Sequence, residues 1–159
     1  MREVSLMHND LAELSAKILS QGGCFCFKAH GFSMYPFIHN GDIISVHPVD
    51  FFALNLGDVV LYYVDKKSLV AHRIVGKEVK KGEIVLRTRG DAMSYPDEWV
   101  RADQLLGKVV GIRRGDKFIH LNRNFQRLIS LFWIKFSPIS CLFFRMACTV
   151  KKAAQRFLP

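Results

Sequence analysis

Apolar and polar positions change rhythm twice along this chain. Near the N-terminus, Leu11, Leu14, Ile18 and Leu19 recur at helical spacing. Asn9 or Asp10 can cap that helix, and Gly22-Gly23 can end it. From Cys24 the pattern becomes that of short strands. GGCFCFKAH over 22–30 and IISVHP over 43–48 predict two, separated by a turn-rich dozen residues. GDVVLYYV over 57–64 predicts a third, and a turn at Asp65-Lys66-Lys67-Ser68 returns it as a hairpin through Leu69–Val79. Lys80-Lys81-Gly82 turns again into Glu83–Arg89. The next stretch, GDAMSYPDEW, is full of turn formers and reads as irregular. One helical turn at Ala102–Leu106, a strand at Lys108–Ile112 and another at Lys117–Leu121 complete the set. Many short strands after one helix predict a mostly β domain over residues 1–121, with coiled, barrel-like sheets.

The second change comes at residue 122. LISLFWIKFSPISCLFFRMACTV is the most apolar run in the chain, but Lys135, Pro138 and Arg145 interrupt it well short of the roughly 20 residues a membrane span needs. Pro138 divides it into two helices. Arg123 and Arg127 share one face, and Arg145, Lys152 and Arg156 another, so residues 122–159 predict a basic, aromatic-rich amphipathic tail. Such a tail suits an anionic membrane surface; packing on the β domain or on a partner is the alternative.

Charge sharpens that division. The net charge of +9 divides unevenly: residues 1–112 carry 13 basic and 13 acidic side chains, and residues 113–159 carry 10 and 1. The excess therefore belongs to the tail, and no nucleic-acid partner is expected for the main domain. MREVSLMHNDLAELSAKILSQGG holds no apolar run of signal-peptide length, which predicts a location on the cytoplasmic side, with peripheral membrane contact through the tail. The four cysteines form no C-x-x-C pair, so no metal site is expected. Cys24 and Cys26 share a strand face, Cys141 and Cys148 a helix face, and free buried thiols are the expectation.

Candidate chemistry centres on HGFSMYPFIHNGD, residues 30–42. Gly31 permits a close turn, Pro36 stiffens its exit, and Ser33 sits between them. A serine hydroxyl attacks a carbonyl only with a base beside it and N–H groups aimed at the oxyanion. His72, in VAHRIV, shares a strand face with Val70 and Ile74 and so points toward an apolar surface. Asp91 and Asp97, in the irregular loop, are the acidic candidates. A serine, a histidine and an aspartate on separate segments are the parts an acyl-transfer triad requires.

Taken in order, these segments resemble the signal peptidase I superfamily, which also includes the self-cleaving repressors of the SOS response. Gly31-Phe32-Ser33-Met34-Tyr35-Pro36 with Gly41-Asp42 resembles its nucleophile box. Leu56-Gly57-Asp58-Val59-Val60 resembles the strand that follows, and Ala71-His72-Arg73-Ile74-Val75 the box that carries the base. Thr88-Arg89-Gly90-Asp91 with Pro96-Asp97 is similar to the T-K-G-D…D box, and Leu106-Gly107-Lys108-Val109-Val110 to the closing strand. Histidine rather than lysine at the base position resembles the endoplasmic-reticulum-type branch. Gly31 stands where many signal peptidases have a hydroxyl residue that serves the oxyanion hole, and here it resembles the repressor branch instead.

The resemblance implies a serine endopeptidase without metal or organic cofactor. Ser33 would be the nucleophile, His72 the base and Asp97 the orienter. Gly31 and the Ser33 N–H would form the oxyanion turn, with Pro36, Asp42, Asp58, Arg73 and Asp91 as structural support. The implied substrate is a leader-bearing peptide or precursor protein, held extended along a strand edge with small side chains before the cleaved bond. A catalytically idle peptide- or membrane-binding module of the same fold is the alternative. A self-cleaving repressor would need a DNA-binding domain before the serine, and 32 residues precede Ser33.

Overall fold

The computed structural model describes residues 13–64 and 68–121. The expected Asn9 or Asp10 cap, the turn at 65–67 and the whole tail from residue 122 lie outside the described residues. A helix (α1) over residues 13–20 leads into eight strands: β1 (Phe25–Lys28), β2 (Ile43–His47), β3 (Val59–Val64), β4 (Ser68–Lys80), β5 (Glu83–Arg89), β6 (Trp99–Val100), β7 (Leu105–Arg114) and β8 (Lys117–His120). All pairings are antiparallel, in the order β1-β2-β7-β3-β4-β5-β6, with β8 on β7. The predicted mostly β domain is what forms, but the sheet stays open: among the described residues β1 and β6 are not paired.

α1 ends where its glycines predict. Gly22 takes φ +80, a left-handed conformation that costs glycine little, and its N–H bonds the Leu19 carbonyl. The Gly23 N–H reaches back to the Ile18 carbonyl, so the last carbonyls of the helix are satisfied. Leu19 is buried and Ile18 packs against the same core, whereas Leu14 is exposed, so the stripe is narrower than its spacing predicted.

Two apolar cores form, one on each face of the sheet, and β3 explains why. Val59 and Leu61 point into one with Leu19, Phe25 and Ile44; Val60 and Tyr62 point into the other with Phe51, Ile74 and Leu86. A strand covered on both faces needs no polar alternation, hence the unbroken VVLYY. β1 is an edge strand and does alternate. Phe25 turns inward while Cys26 and Lys28 face out. Cys24 and Cys26 are both exposed, which corrects the expectation of buried thiols: shared parity put them on one face, and that face is the wet one.

β7 joins the two halves of the sheet, pairing with β2 on one side and β3 on the other. It is longer than predicted because Leu105 and Leu106 belong to it; the helical turn occupies only Ala102–Gln104. Trp99, expected to be loop, and Val100 add two residues to the far edge against Leu86–Arg87.

Candidate active site

The sequence around Ser33 folds as a turn pinned from below. Met34 and Ile38 flank the serine and are buried in the first core. The Met34 carbonyl accepts the N–H groups of Phe37 and Ile38, closing the turn on itself. Gly31 takes φ +93 and donates its N–H to Asn40 Oδ1 at 3.1 Å. A Cβ there would meet nothing within 4 Å, so the requirement is conformational rather than spatial. Pro36 follows Tyr35 through a cis peptide bond, and its carbonyl accepts from His39 Nε2 at 2.9 Å. The far end of the turn is held by Asp42. That buried carboxylate accepts the His39 N–H at 2.7 Å and the Arg114 guanidinium at 2.7 Å, while Arg114 also donates to the Phe37 carbonyl. Asp42 lies below the ordinary carboxylate range because the Arg114 hydrogen bond outweighs its burial.

Strand register brings the other groups to one face. Val60 faces His72 across β3–β4, Tyr62 faces Val70, and Ile74 faces Thr88 across β4–β5. By the two-residue period, Tyr62, His72 and Thr88 therefore project together, His72 beside the apolar residues its spacing predicted. Asp97 arrives from the loop after β5, where its N–H bonds the Thr88 carbonyl at 2.7 Å.

The result is a continuous polar chain. His72 Nε2 lies 3.1 Å from Ser33 Oγ, and His72 Nδ1 lies 2.6 Å from Asp97 Oδ2. Asp97 Oδ2 also accepts the Tyr62 hydroxyl at 3.1 Å, with Thr88 Oγ1 at 2.8 Å. Burial pushes the Asp97 carboxyl up, but hydrogen bonds from His72, Thr88 and Tyr62, together with the His72 charge, outweigh it and leave the group below its ordinary value. An ionised Asp97 can only accept, so Nδ1 must donate to it. In the neutral ring that leaves Nε2 as the acceptor facing the serine hydroxyl, the tautomer that can take its proton.

Gly90, the residue after β5, closes the site. A Cβ there would lie 2.7 Å from the Ser33 carbonyl oxygen and 3.1 Å from His72 Nε2, so no larger residue fits beside the pair. The Ala92 N–H fixes the same Ser33 carbonyl at 2.8 Å.

Asp91, the other acidic candidate, points elsewhere. It takes a bidentate pair from Arg73 Nε and Nη2 at 2.7 and 2.6 Å, while Arg73 Nη1 donates to the Gly57 carbonyl. Burial pushes the Asp91 carboxyl up and the guanidinium opposes the rise. Arg73 also lies over the Phe37 ring at 5.0 Å, tying this pair to the serine turn. Asp58 pairs with Lys108 at 2.9 Å and accepts the Asn55 N–H, bracing the start of β3. The spacing of the sequence singled out neither Tyr62 nor Gly90, nor Thr88 as a partner of Asp97.

Beside Ser33 and His72 opens a cleft of ≈ 270 Å³, lined on one side by Phe27–Gly31 and on the other by Leu69–Ala71. β4 is paired with β3 from Ser68 to Arg73, but with β5 only from Arg73 onward. Among the described residues its first half is therefore paired on one side only, next to the cleft. No group of His, Cys, Asp and Glu able to hold a metal with three or more ligands occurs among the described residues.

A model of the Peptidase S24-like family matches residues 3–110, a span that begins before α1 and ends within β7. No curated protein and no solved structure matches the chain. Because the family model covers more than half of the 159 residues, and takes in Ser33, His72 and Asp97 together, the chain belongs to the Peptidase S24-like family, within the superfamily that its motifs resemble.

Proposed function

We propose that this chain is a serine endopeptidase that cleaves a leader or signal-type bond in a peptide or precursor protein. The observation that carries the reading is the Ser33–His72–Asp97 chain, with contacts of 3.1 and 2.6 Å. Ser33 Oγ attacks the scissile carbonyl carbon as His72 Nε2 takes its proton. The imidazolium that forms is stabilised by Asp97 and then gives the proton to the leaving amine. Water repeats the cycle on the acyl-enzyme. Histidine as base is the trait of the endoplasmic-reticulum-type branch, and we assign the chain there on that residue alone. With glycine at position 31, the oxyanion would rest on backbone N–H groups, chiefly that of Ser33.

The substrate lies extended in the cleft. The one-sided first half of β4 offers backbone groups to such a strand, as in β-strand addition. The apolar lining, including Phe27, Met34 and Leu69, suits an apolar side chain there. The protein works on the cytoplasmic side, and residues 122–159 hold it to anionic membrane surfaces. No helix among the described residues is long and apolar enough to cross a membrane.

The test is digestion of candidate precursors with the purified protein, alongside labelling with a serine-reactive fluorophosphonate. Wild type should cleave and label at Ser33, and Ser33→Ala should do neither while melting at the same temperature. Cleavage by the alanine variant at the native rate would end the serine mechanism. A folded wild type that neither labels nor cleaves would favour an idle peptide-binding module, the reading that the missing hydroxyl at position 31 also permits.

A further inference from the structure

At the entry to β1, on the exposed face of that edge strand, two thiols meet. Cys24 Sγ and Cys26 Sγ lie 3.9 Å apart, and Ser45 Oγ sits 3.4 Å from Cys26 Sγ across the β1–β2 pairing. Both cysteines are exposed. We propose that Cys24 and Cys26 form a chelating site for a soft, two-coordinate monovalent metal cation of the copper(I) type.

Distance decides between the two things such a pair can do. A disulfide requires the sulfurs to close from 3.9 Å to about 2.05 Å. Residues two apart on an extended strand have Cα atoms about 6.6 Å apart, near the upper limit of about 6.8 Å for a bridge, so closure would strain the strand. A bridging metal asks for less. Two metal–sulfur bonds of about 2.3 Å set the sulfurs about 4.6 Å apart when linear and closer when bent. The observed 3.9 Å is then reached by bending, or corrected by small side-chain rotations.

Ligand number decides which metal. Zinc sites take at least three protein ligands, and no cluster of three metal-ligating residues exists among the described residues. A soft d¹⁰ cation prefers thiolates and is content with two. Burial and the neighbouring Cys26 thiol push the Cys24 thiol up. On binding, two S–H bonds break, two S–metal bonds form, and two protons leave to solvent with no change in oxidation state. Ser45 can donate its hydroxyl to the Cys26 sulfur as an outer partner. Because Phe27 and Lys28 of the same strand line the cleft, the bound cation would stiffen one wall of it.

The experiment uses the full chain with Cys141→Ser and Cys148→Ser, which removes the other thiols. Copper(I) is titrated against a chromophoric copper(I) chelator. One ion per chain is expected, with Cys24→Ser and Cys26→Ser each weakening binding at least about 100-fold, beyond the 10–100-fold typical of an outer-shell loss. Ser45→Ala, the loss of an outer partner, should stay below about 100-fold. If either single-cysteine variant holds copper(I) as tightly as its parent, the site does not exist. A second measurement leaves the pair unmutated: copper(I) should protect Cys24 and Cys26 together from iodoacetamide, read by peptide mass mapping. Alkylation at the metal-free rate would equally overturn the proposal.

Discussion

Two aspartates six residues apart meet opposite environments, and that contrast is testable one side chain at a time. Asp97 Oδ2 holds the His72 ring, whereas both oxygens of Asp91 are taken by Arg73 in a buried pair. Asp97→Asn offers no anion for the imidazolium and can leave the wrong tautomer facing Ser33. We expect kcat to fall by about 10⁴ with little change in melting temperature. Asp91→Asn strands a buried guanidinium and should cost about 3–5 kcal/mol of stability, with activity falling only as the folded fraction falls. Urea melts and single-turnover rates on both variants check this; the reverse pattern would exchange their roles. Asp42 supplies a pH signature. Its carboxyl sits below the ordinary 3.8, so the unfolded chain binds its proton first as pH drops. The contribution of the Arg114 pair is therefore complete above pH 3.8 and is lost as pH falls through the lower folded value. Asp42→Asn should lower stability by roughly 1–2 kcal/mol at neutral pH. That gap should narrow steadily below the carboxylate range, as followed by thermal melts down the acid limb.

Among the strands, Gly107 of β7 sits where a neighbouring backbone leaves no room for a side chain. A Cβ there would lie 2.5 Å from the His47 carbonyl oxygen, a backbone atom with nowhere to go. Gly107→Ala should therefore force β2 and β7 apart and cost about 1–3 kcal/mol, visible as a lower denaturant midpoint. In contrast Gly111 faces only the ring of Phe118, a side chain that can swing away. Element by element, the sequence was most legible where local signals agreed. Glu83–Arg89 was bounded correctly because Lys80-Lys81-Gly82 and Gly90-Asp91 punctuate both ends. It was least legible where tertiary pairing decides: Leu105–Leu106 has no turn residue to mark it as strand, and Trp99–Val100 is too short to carry a period. Parity predicted the face on which His72 lies. Parity did not predict that Thr88 would share it, because a bulge between Ile74 and Gly76 shifts the β4–β5 register. Nor could it tell an edge strand from an interior one, which is why Cys24 and Cys26 were expected inside.

At the scale of the molecule, the proposal that residues 122–159 act as a separate basic tail can be tested by a single cut. The described strands end at His120, and the Leu121 N–H still bonds the Val110 carbonyl. A chain cut after residue 121 keeps every described strand pairing and drops most of the positive excess. It should lose binding to anionic vesicles in a sedimentation assay and still cleave a short soluble peptide. If the truncated chain is insoluble, the tail belongs to the core instead. The order of the strands carries a consequence of another kind. The half with β1 and β2 brings Ser33, the half with β3 to β6 brings His72 and Asp97, and the only strand that pairs with both, among the described residues, is β7. β7 is nearly the last strand made. Leu105, where β7 begins, follows Ser33 by 72 residues, His72 by 33 and Asp97 by only 8, so a nascent chain releases its serine and its histidine well before the strand that joins their halves. Until β7 is made, no described strand pairing holds the serine half of the sheet against the histidine half.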